Sequence, residues 1–321
     1  MLVVAARNVT QEPFGGDDGR IARGPGCVVA LGSLCEMARI PELLASKRTL
    51  SFEFFPPKTP AANMTLGRTV AAIESLKPDF VSITYGAGGS DRHRTGDVVA
   101  WMLGETTWTP MPHLTCRGHT RDDVDSLLAG YRELGIENIL ALGGDPPAGG
   151  VEEAGDYLYA LDLLEDVVAA GSFATGVAAH PEVHPRSPDR ATDRRFLADK
   201  LRIADFALTQ FFFDVEHWIR LVDELAELGV DKPVLPGIMP INNKAMVKRR
   251  AEMSGAALPG WLADRLDATD DADEVRRIGV DVATQLCSDL IDAGTPGLHL
   301  YALNRPESVV EICLNLGLTT G

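Results

Sequence analysis

Glu53 is the residue whose chemistry stands out first. It lies in residues 50–59, Leu-Ser-Phe-Glu-Phe-Phe-Pro-Pro-Lys-Thr, where one acid sits among three aromatic rings and two prolines follow. On a strand the side chains alternate, so Ser51, Glu53 and Phe55 share one face and Phe52 and Phe54 the other. A carboxyl near the end of a buried strand has two readings: a structural acid bonded to backbone or lysine, or a group that handles protons. Further along, polar residues recur just after short apolar runs: Thr84 ahead of the glycines at 86–89, His113, Asp145 after Gly143-Gly144, His180-Pro181-Glu182-Val183-His184-Pro185, Gln210, and Asn304-Arg305. The glycine-rich turns let a backbone approach a flat or phosphorylated ligand, yet neither matches a phosphate-loop or dinucleotide fingerprint. His180 and His184 flanking Glu182 suggest a metal pair, but the two prolines deny them the helical spacing of a zinc site, so no metal is expected. His113 is open to three readings: a satisfied core histidine, a metal ligand or a cofactor contact. Asp145, between two glycines and two prolines, suits a rigid loop that presents a carboxylate to a ligand's N–H groups.

Those residues need elements that bring them to one place. From residue 50 the chain alternates a short apolar run, a polar or Gly/Pro-rich loop and an amphipathic stretch, about eight times over. Strands are expected at 50–55, 80–85, 111–115, 138–142, 174–179, 206–211, 234–238 and 298–302. Helices are expected at 61–76, 95–103, 121–133, 157–170, 192–204, 215–228, 244–253 and 306–316, with extra helices near 259–267 and 272–293 before the last strand. That count favours a closed (β/α)8 (TIM) barrel over an open doubly wound sheet. In such a barrel the loops after the strands converge on one face, which is where the unusual polar residues fall. The domain reading is an N-terminal extension over 1–47, poorly ordered through 1–26 with a short helix near 33–47 that bends or restarts at Pro41. One catalytic barrel then spans 48–321.

Composition excludes several classes. The 321 residues are 45% hydrophobic and carry a net charge of −16, which suits a large buried core and argues against a nucleic-acid partner. Five cysteines without a Cys-x-x-Cys pair indicate neither a disulfide framework nor a zinc ribbon, and point to a reducing cytoplasm. No run approaches the roughly 18 apolar residues of a membrane span, and residues 2–6 are too short for a signal-peptide core.

Taken together and in order, these motifs resemble the methylenetetrahydrofolate reductase family in its compact form without a regulatory domain. The matching pieces include Phe52-Glu53-Phe54-Phe55-Pro56-Pro57-Lys58-Thr59, Val81-Ser82-Ile83-Thr84-Tyr85-Gly86-Ala87, Pro112-His113-Leu114-Thr115, Gly144-Asp145-Pro146, Pro181-Glu182-Val183-His184-Pro185, Thr209-Gln210-Phe211-Phe212-Phe213-Asp214, Pro236-Gly237-Ile238-Met239-Pro240 and Leu303-Asn304-Arg305. The resemblance implies a (β/α)8 barrel that reduces 5,10-methylenetetrahydrofolate to 5-methyltetrahydrofolate, supplying methyl groups for methionine synthesis. NADH or NADPH provides the hydride and FAD carries it. It implies Glu53 as general acid, with a pKa raised by an apolar site, and Asp145 and Gln210 as pterin-holding groups, Asp145 also near the flavin. Arg305 matches a substrate-side arginine, and Thr84, His113, Gly144, Tyr159, Ala160, His184, Asp193 and Lys200 match flavin-binding positions. The partners implied are small folates and nicotinamides, and a homo-oligomer is allowed. The departures gather around the cofactor: Gly143 stands where the family usually has an FAD-contacting arginine, His180 where an aromatic ring is common, and Arg250 where an apolar ring often stacks on the ligand. Losing one charged contact costs about 1.5–3 kcal/mol, ten- to a hundredfold in affinity. Two hydride routes follow, one through FAD held by the remaining contacts and one directly from the nicotinamide to the folate. The competing classes are a metal-dependent barrel hydrolase using His113, His180, His184 and Asp145, and a barrel that only binds folate.

Overall fold

Short apolar runs with period-two spacing form parallel strands only if each crossover has room for a helix, and this chain supplies one each time. The computed structural model describes residues 37–85, 92–144 and 155–318. The expected leader, the glycines at 86–89 and Asp145 lie outside those residues. Among the described residues nine strand segments appear: β1 Thr49–Phe54, β2 Phe80–Ile83, β3 Thr109–Thr115, β4 Asn138–Leu142, β5 Ala174–Ala179, β6 Phe206–Thr209, β7 Val234–Leu235, β8 Gly237–Ile238 and β9 Gly297–Tyr301. All pairs are parallel, in the order β7-β6-β5-β4-β3-β2-β1-β9-β8. The expected strand at 234–238 is therefore split. Pro236 has no N–H to give, so the ladder breaks there, with β7 bonded to β6 and β8 to β9. Its carbonyl still accepts from His299 N at 3.1 Å, and the two halves of this seventh strand close the (β/α)8 barrel.

The helices are α1 Ile40–Ser46, α2 Pro60–Ile73, α3 Arg92–Glu105, α4 Arg121–Glu133, α5 Ala160–Ala169, α6 Arg190–Leu201, α7 Val215–Glu227, α8 Lys244–Ser254, α9 Gly260–Asp267, α10 Ala272–Asp292 and α11 Pro306–Asn315. Thr59, Thr120, Asp189, Asp214, Asn243 and Asp271 each accept a backbone N–H of the helix they precede. Such caps contribute about 1 kcal/mol apiece and set where each loop turns down from the barrel's C-terminal face. Pro41 starts α1 rather than breaking it, since a first-turn proline lacks only a hydrogen the helix does not use. Ile40, fully buried, packs with Phe80, Met111, Leu140 and Phe206 and plugs the barrel's N-terminal end. It is held there by its own N–H on Asn138 Oδ1 at 2.8 Å, while Asn138 Nδ2 donates to Ala38 O at 3.1 Å. Among the described residues no helix is long and apolar enough to cross a membrane.

Candidate active site

Register decides what meets above the apolar plug. Glu53 pairs with Ser82 on β2 and with Tyr301 on β9, and Ser51 pairs with His299, so these side chains point into the barrel together. Glu53 is buried; its Oε2 accepts from Ser82 Oγ at 3.3 Å and lies 3.5 Å from His113 Nε2 and 3.7 Å from His299 Nε2. The last separation is too long for a full hydrogen bond, and Ser82, 3.2 Å from His299 Nε2, bridges it. Burial pushes the Glu53 carboxyl up, but the hydrogen bonds of His299 and Ser82 and the electrostatic influence of the two imidazoles outweigh it, and the net shift is down. The expected raised pKa is thereby corrected: the apolar rings of the motif, Phe52 and Phe54, face away from the carboxyl, and what it sees is polar. His113 is pushed down to about 4, chiefly by burial, so it is a neutral imidazole at pH 7. Its Nε2 is buried and has no hydrogen-bond partner, with Glu53 Oε2 at 3.5 Å its near neighbour.

The rim above Glu53 is braced. Asn304 Nδ2 donates to Phe55 O at 2.9 Å and its Oδ1 accepts from Phe55 N at 3.0 Å, tying the exit of β1 to the loop after β9. Leu303 and Asn304 both adopt φ of 53°, a bend that brings Arg305 to the start of α11, where it is exposed at the edge of the mouth. Tyr301 Oη donates to Thr209 O at 3.0 Å. A Cβ at Gly237 would lie 2.3 Å from that same carbonyl and 2.6 Å from the Tyr301 hydroxyl, so only glycine fits there. Arg250 of α8 lies 5.9 Å from the Phe55 ring, with Nη1 3.4 Å from Met239 Sδ. A cation therefore stands beside Glu53; burial lowers its pKa, while Glu53 and Tyr301 oppose that.

The opposite side of the mouth is organised by a buried cation. Arg194 of α6 donates to the carbonyls of His180 (3.0 Å), Pro181 (2.7 Å) and Glu182 (3.0 Å), and to the carboxylates of Asp193 (2.7 Å) and Glu224 (2.6 Å). Asp193 in turn accepts from His184 N at 3.2 Å and Ser187 Oγ at 2.8 Å. Lys200 donates to Ala178 O at 2.9 Å; burial lowers it to about 8, with Asp193 opposing. His180, its ring 4.5 Å from that of His184, is pushed down to about 3 by burial first and then by His184, Lys200, Arg194 and Arg186. Gly144 turns at φ of 76°, and Nη2 of Arg186 lies 3.8 Å from where a Cβ on Gly143 would stand. Thr84 N donates to Phe54 O at 3.0 Å, placing that residue at the mouth. Ala160 opens α5, and Tyr159 before it is 70% exposed. Gln210 Oε1 accepts from Phe211 N at 3.0 Å, and Gln210 lines a shallow cleft with His180, Glu182, Phe211 and Ala256.

Glu53 and His113 thus stand together on one side of the mouth, and His180, His184, Asp193 and Lys200 on the other. Ser51, Ser82, His299, Arg186 and Arg194 were not singled out from the sequence. The alternation that put Ser51 on the face of Glu53 would have found part of this group, since His299 and Tyr301 are likewise polar residues two apart in an apolar run. Among the described residues no three His, Cys, Asp or Glu side chains are grouped to hold a metal ion.

A parallel (β/α)8 barrel with a buried carboxylate and imidazoles on one side of its C-terminal mouth and clustered cations on the other has the organisation of a barrel enzyme. A family model described as Methylenetetrahydrofolate reductase matches residues 37–317. The chain is 38% identical over 275 residues to the 5,10-methylenetetrahydrofolate reductase of Escherichia coli (strain K12), which covers 85% of this chain and 92% of that protein. Over 284 residues it is 35% identical to Methylenetetrahydrofolate reductase (NADH) 1 of Arabidopsis thaliana, covering 84% of this chain and 48% of that longer one. The chain belongs to the methylenetetrahydrofolate reductase family and is an oxidoreductase. Among solved structures, an uncharacterized protein from Clostridium thermocellum that binds two copies of 5-methyl-5,6,7,8-tetrahydrofolic acid aligns with a TM-score of 0.64 at 14% identity, over 87% of this chain and 98% of that one. That likeness is one of fold.

Proposed function

We propose that this chain reduces 5,10-methylenetetrahydrofolate to 5-methyltetrahydrofolate in the cytoplasm, with a hydride that originates on NADH or NADPH and with Glu53 as the general acid. The observation that carries the reading is the carboxyl of Glu53 at the floor of the mouth, bonded by Ser82 and faced by His113 and His299. The reaction needs a hydride at the bridging carbon and a proton at the nitrogen that leaves it; Glu53 supplies the proton as the carbon–nitrogen bond breaks. Gln210 and Arg305 hold the folate, joined by Asp145, and the product serves methionine synthesis. Glu53→Gln keeps a carboxamide of the same size, so folate binding is largely retained while turnover falls by roughly 10²-fold or more. Steady-state rates and folate titration check this, and wild-type turnover in that variant removes Glu53 from its role.

FAD fits the other side of the mouth. Lys200 and Arg186 are cations suited to a pyrophosphate, Tyr159 offers an open ring, and the buried unbonded Nε2 of His113 awaits a polar partner. Thr84, Gly144, Ala160, His184 and Asp193 complete that set, with Asp193 working through the backbone it braces. When bound, FAD supplies a two-electron carrier between nicotinamide and folate. The second reading, direct hydride transfer without flavin, is favoured by the absence of a side chain at Gly143. Flavin absorption bands in the purified protein, and activity that depends on FAD, are the expected result; a colourless protein active without added flavin sinks the first route and leaves the second.

A further inference from the structure

The group around Glu53 has a hydrogen-bond direction that can be read from its far end. Ser51 Oγ donates to Leu298 O at 3.2 Å, and its other contact is His299 Nδ1 at 2.8 Å. A hydroxyl has a single proton, so with that proton on Leu298 O the serine accepts, and Nδ1 of His299 carries the hydrogen. On the other side of the ring, Nε2 lies 3.2 Å from Ser82 Oγ, which lies 3.3 Å from Glu53 Oε2. Two arrangements satisfy every member. In one, His299 is protonated on both nitrogens, Nε2–H donates to Ser82, and Ser82 donates to the Glu53 carboxylate. In the other, Glu53 is a carboxylic acid donating to Ser82, and Ser82 donates to a bare Nε2. They differ by a shift of two protons along Nε2, Oγ and Oε2, with no heavy atom displaced.

We propose that Ser82 and His299, oriented by Ser51, form a buried proton store that serves Glu53. The proposal rests on the reading of Glu53 as general acid. Per turnover the proton held on His299 passes to Ser82 Oγ while the hydroxyl proton of Ser82 passes to Glu53, which releases it to the leaving nitrogen as the carbon–nitrogen bond breaks. His299 is left neutral and Glu53 anionic, and one proton from solvent restores the pair. The Ser51 end stops at a backbone carbonyl, so the proton leaves His299 only through Nε2. His299 is fully buried, stacked on Phe80 at 5.9 Å and met edge-on by Tyr301 at 5.9 Å. The titratable groups facing it are Glu53 from β1, His113 from β3 and Tyr301 from β9, with Arg250 of α8 acting on Glu53 from the rim. Ser51, Ser82 and His299 are positioning residues, since they act through Glu53.

Ring ¹⁵N resonances of His299, followed against pH in the wild type and in Glu53→Gln, test the arrangement without turnover. Nδ1 is expected to stay protonated throughout. The Nε2 resonance is expected to differ between the two proteins, because the amide of Glu53→Gln offers no negative charge to hold a proton on the ring. In parallel, His299→Asn should lower kcat about tenfold or more and shift the pH profile, with folate KM within about twofold, and Ser51→Ala should show a smaller effect of the same kind. A neutral Nε2–H tautomer with the same Nε2 resonance in both proteins overturns the store, and so does a wild-type rate and pH profile in His299→Asn. Should His299→Asn fail to fold, the resonances of the wild type and Glu53→Gln decide alone. Loss of turnover in Glu53→Gln beside an unaffected His299→Asn removes the store and keeps the general acid; wild-type turnover in Glu53→Gln removes both.

Discussion

The two sides of the barrel mouth satisfy buried charge in opposite ways. Where β9, β1 and β2 meet, Glu53, Ser82, His299 and Ser51 bond mainly to one another, side chain to side chain. Around β5 and α6, Arg194 and Lys200 are bonded largely to main-chain carbonyls at 178, 180, 181 and 182. Side chains that share protons can change protonation state without moving the backbone. A cation bonded to carbonyls holds the backbone in shape and cannot be withdrawn without releasing the loop. The first arrangement suits proton transfer, and the second suits a rigid cradle for an anionic ligand.

The contrast breaks most visibly at Arg194. Arg194→Met takes the charged donor away from two carboxylates and three carbonyls at once, and a loss of about 3–5 kcal/mol is expected in chemical denaturation, the cost of breaking a buried ion pair. Ser82→Ala on the other side removes one bridging hydroxyl and should cost only about 1 kcal/mol, with its main effect on turnover. Comparable losses from the two would erase the distinction.

Acid sharpens it next, because each side holds an imidazole that is neutral at pH 7, buried at His113 and half-buried at His180. His113 and His180 are lowered to about 4 and about 3 in the folded protein, against 6.5 for the ordinary group. Between those values the unfolded chain binds more protons, so the stability they contribute is complete above pH 6.5 and is lost as pH falls through about 4 and then about 3. For His113 the full loss is on the order of 3 kcal/mol, at about 1.4 kcal/mol per unit. Urea midpoints from pH 7 to 4 check this, and His113→Asn should flatten the upper part of the slope.

The smallest effects concern the cradle's charge. Arg186→Ala should weaken FAD binding about tenfold with little change in stability, read by flavin fluorescence titration. Lys200 is lowered to about 8, so it is charged below that pH and neutral above. Flavin affinity should fall as pH rises past about 8. Stability should instead rise between about 8 and 10.5, because there the unfolded chain holds the extra proton. Flavin affinity that ignores both Arg186 and pH would dissociate this side of the mouth from the cofactor.

Much of the architecture was legible because its causes are local. The elements at 121–133, 138–142 and 174–179 were read with the bounds the structure has, since apolar period and capping residues act within one turn or one strand. The same alternation placed Glu53, His113, Gln210 and Arg305 at one end of the barrel before any contact was known. The break at Pro236 was also written in the chain, yet read as continuous, because a proline's effect depends on which neighbour needs its missing N–H.

What the sequence by itself determined is therefore the order of elements, the face to which each polar residue is delivered and the family. Only the tertiary structure decided the environment of Glu53. His299 meets Ser51 across 248 positions of chain and Ser82 across 217, and those contacts, with His113, turn an expected rise in the carboxyl's pKa into a fall. A proton's affinity is set by what stands within a few ångströms, and barrel closure, which brings the last strand against the first, selects those neighbours.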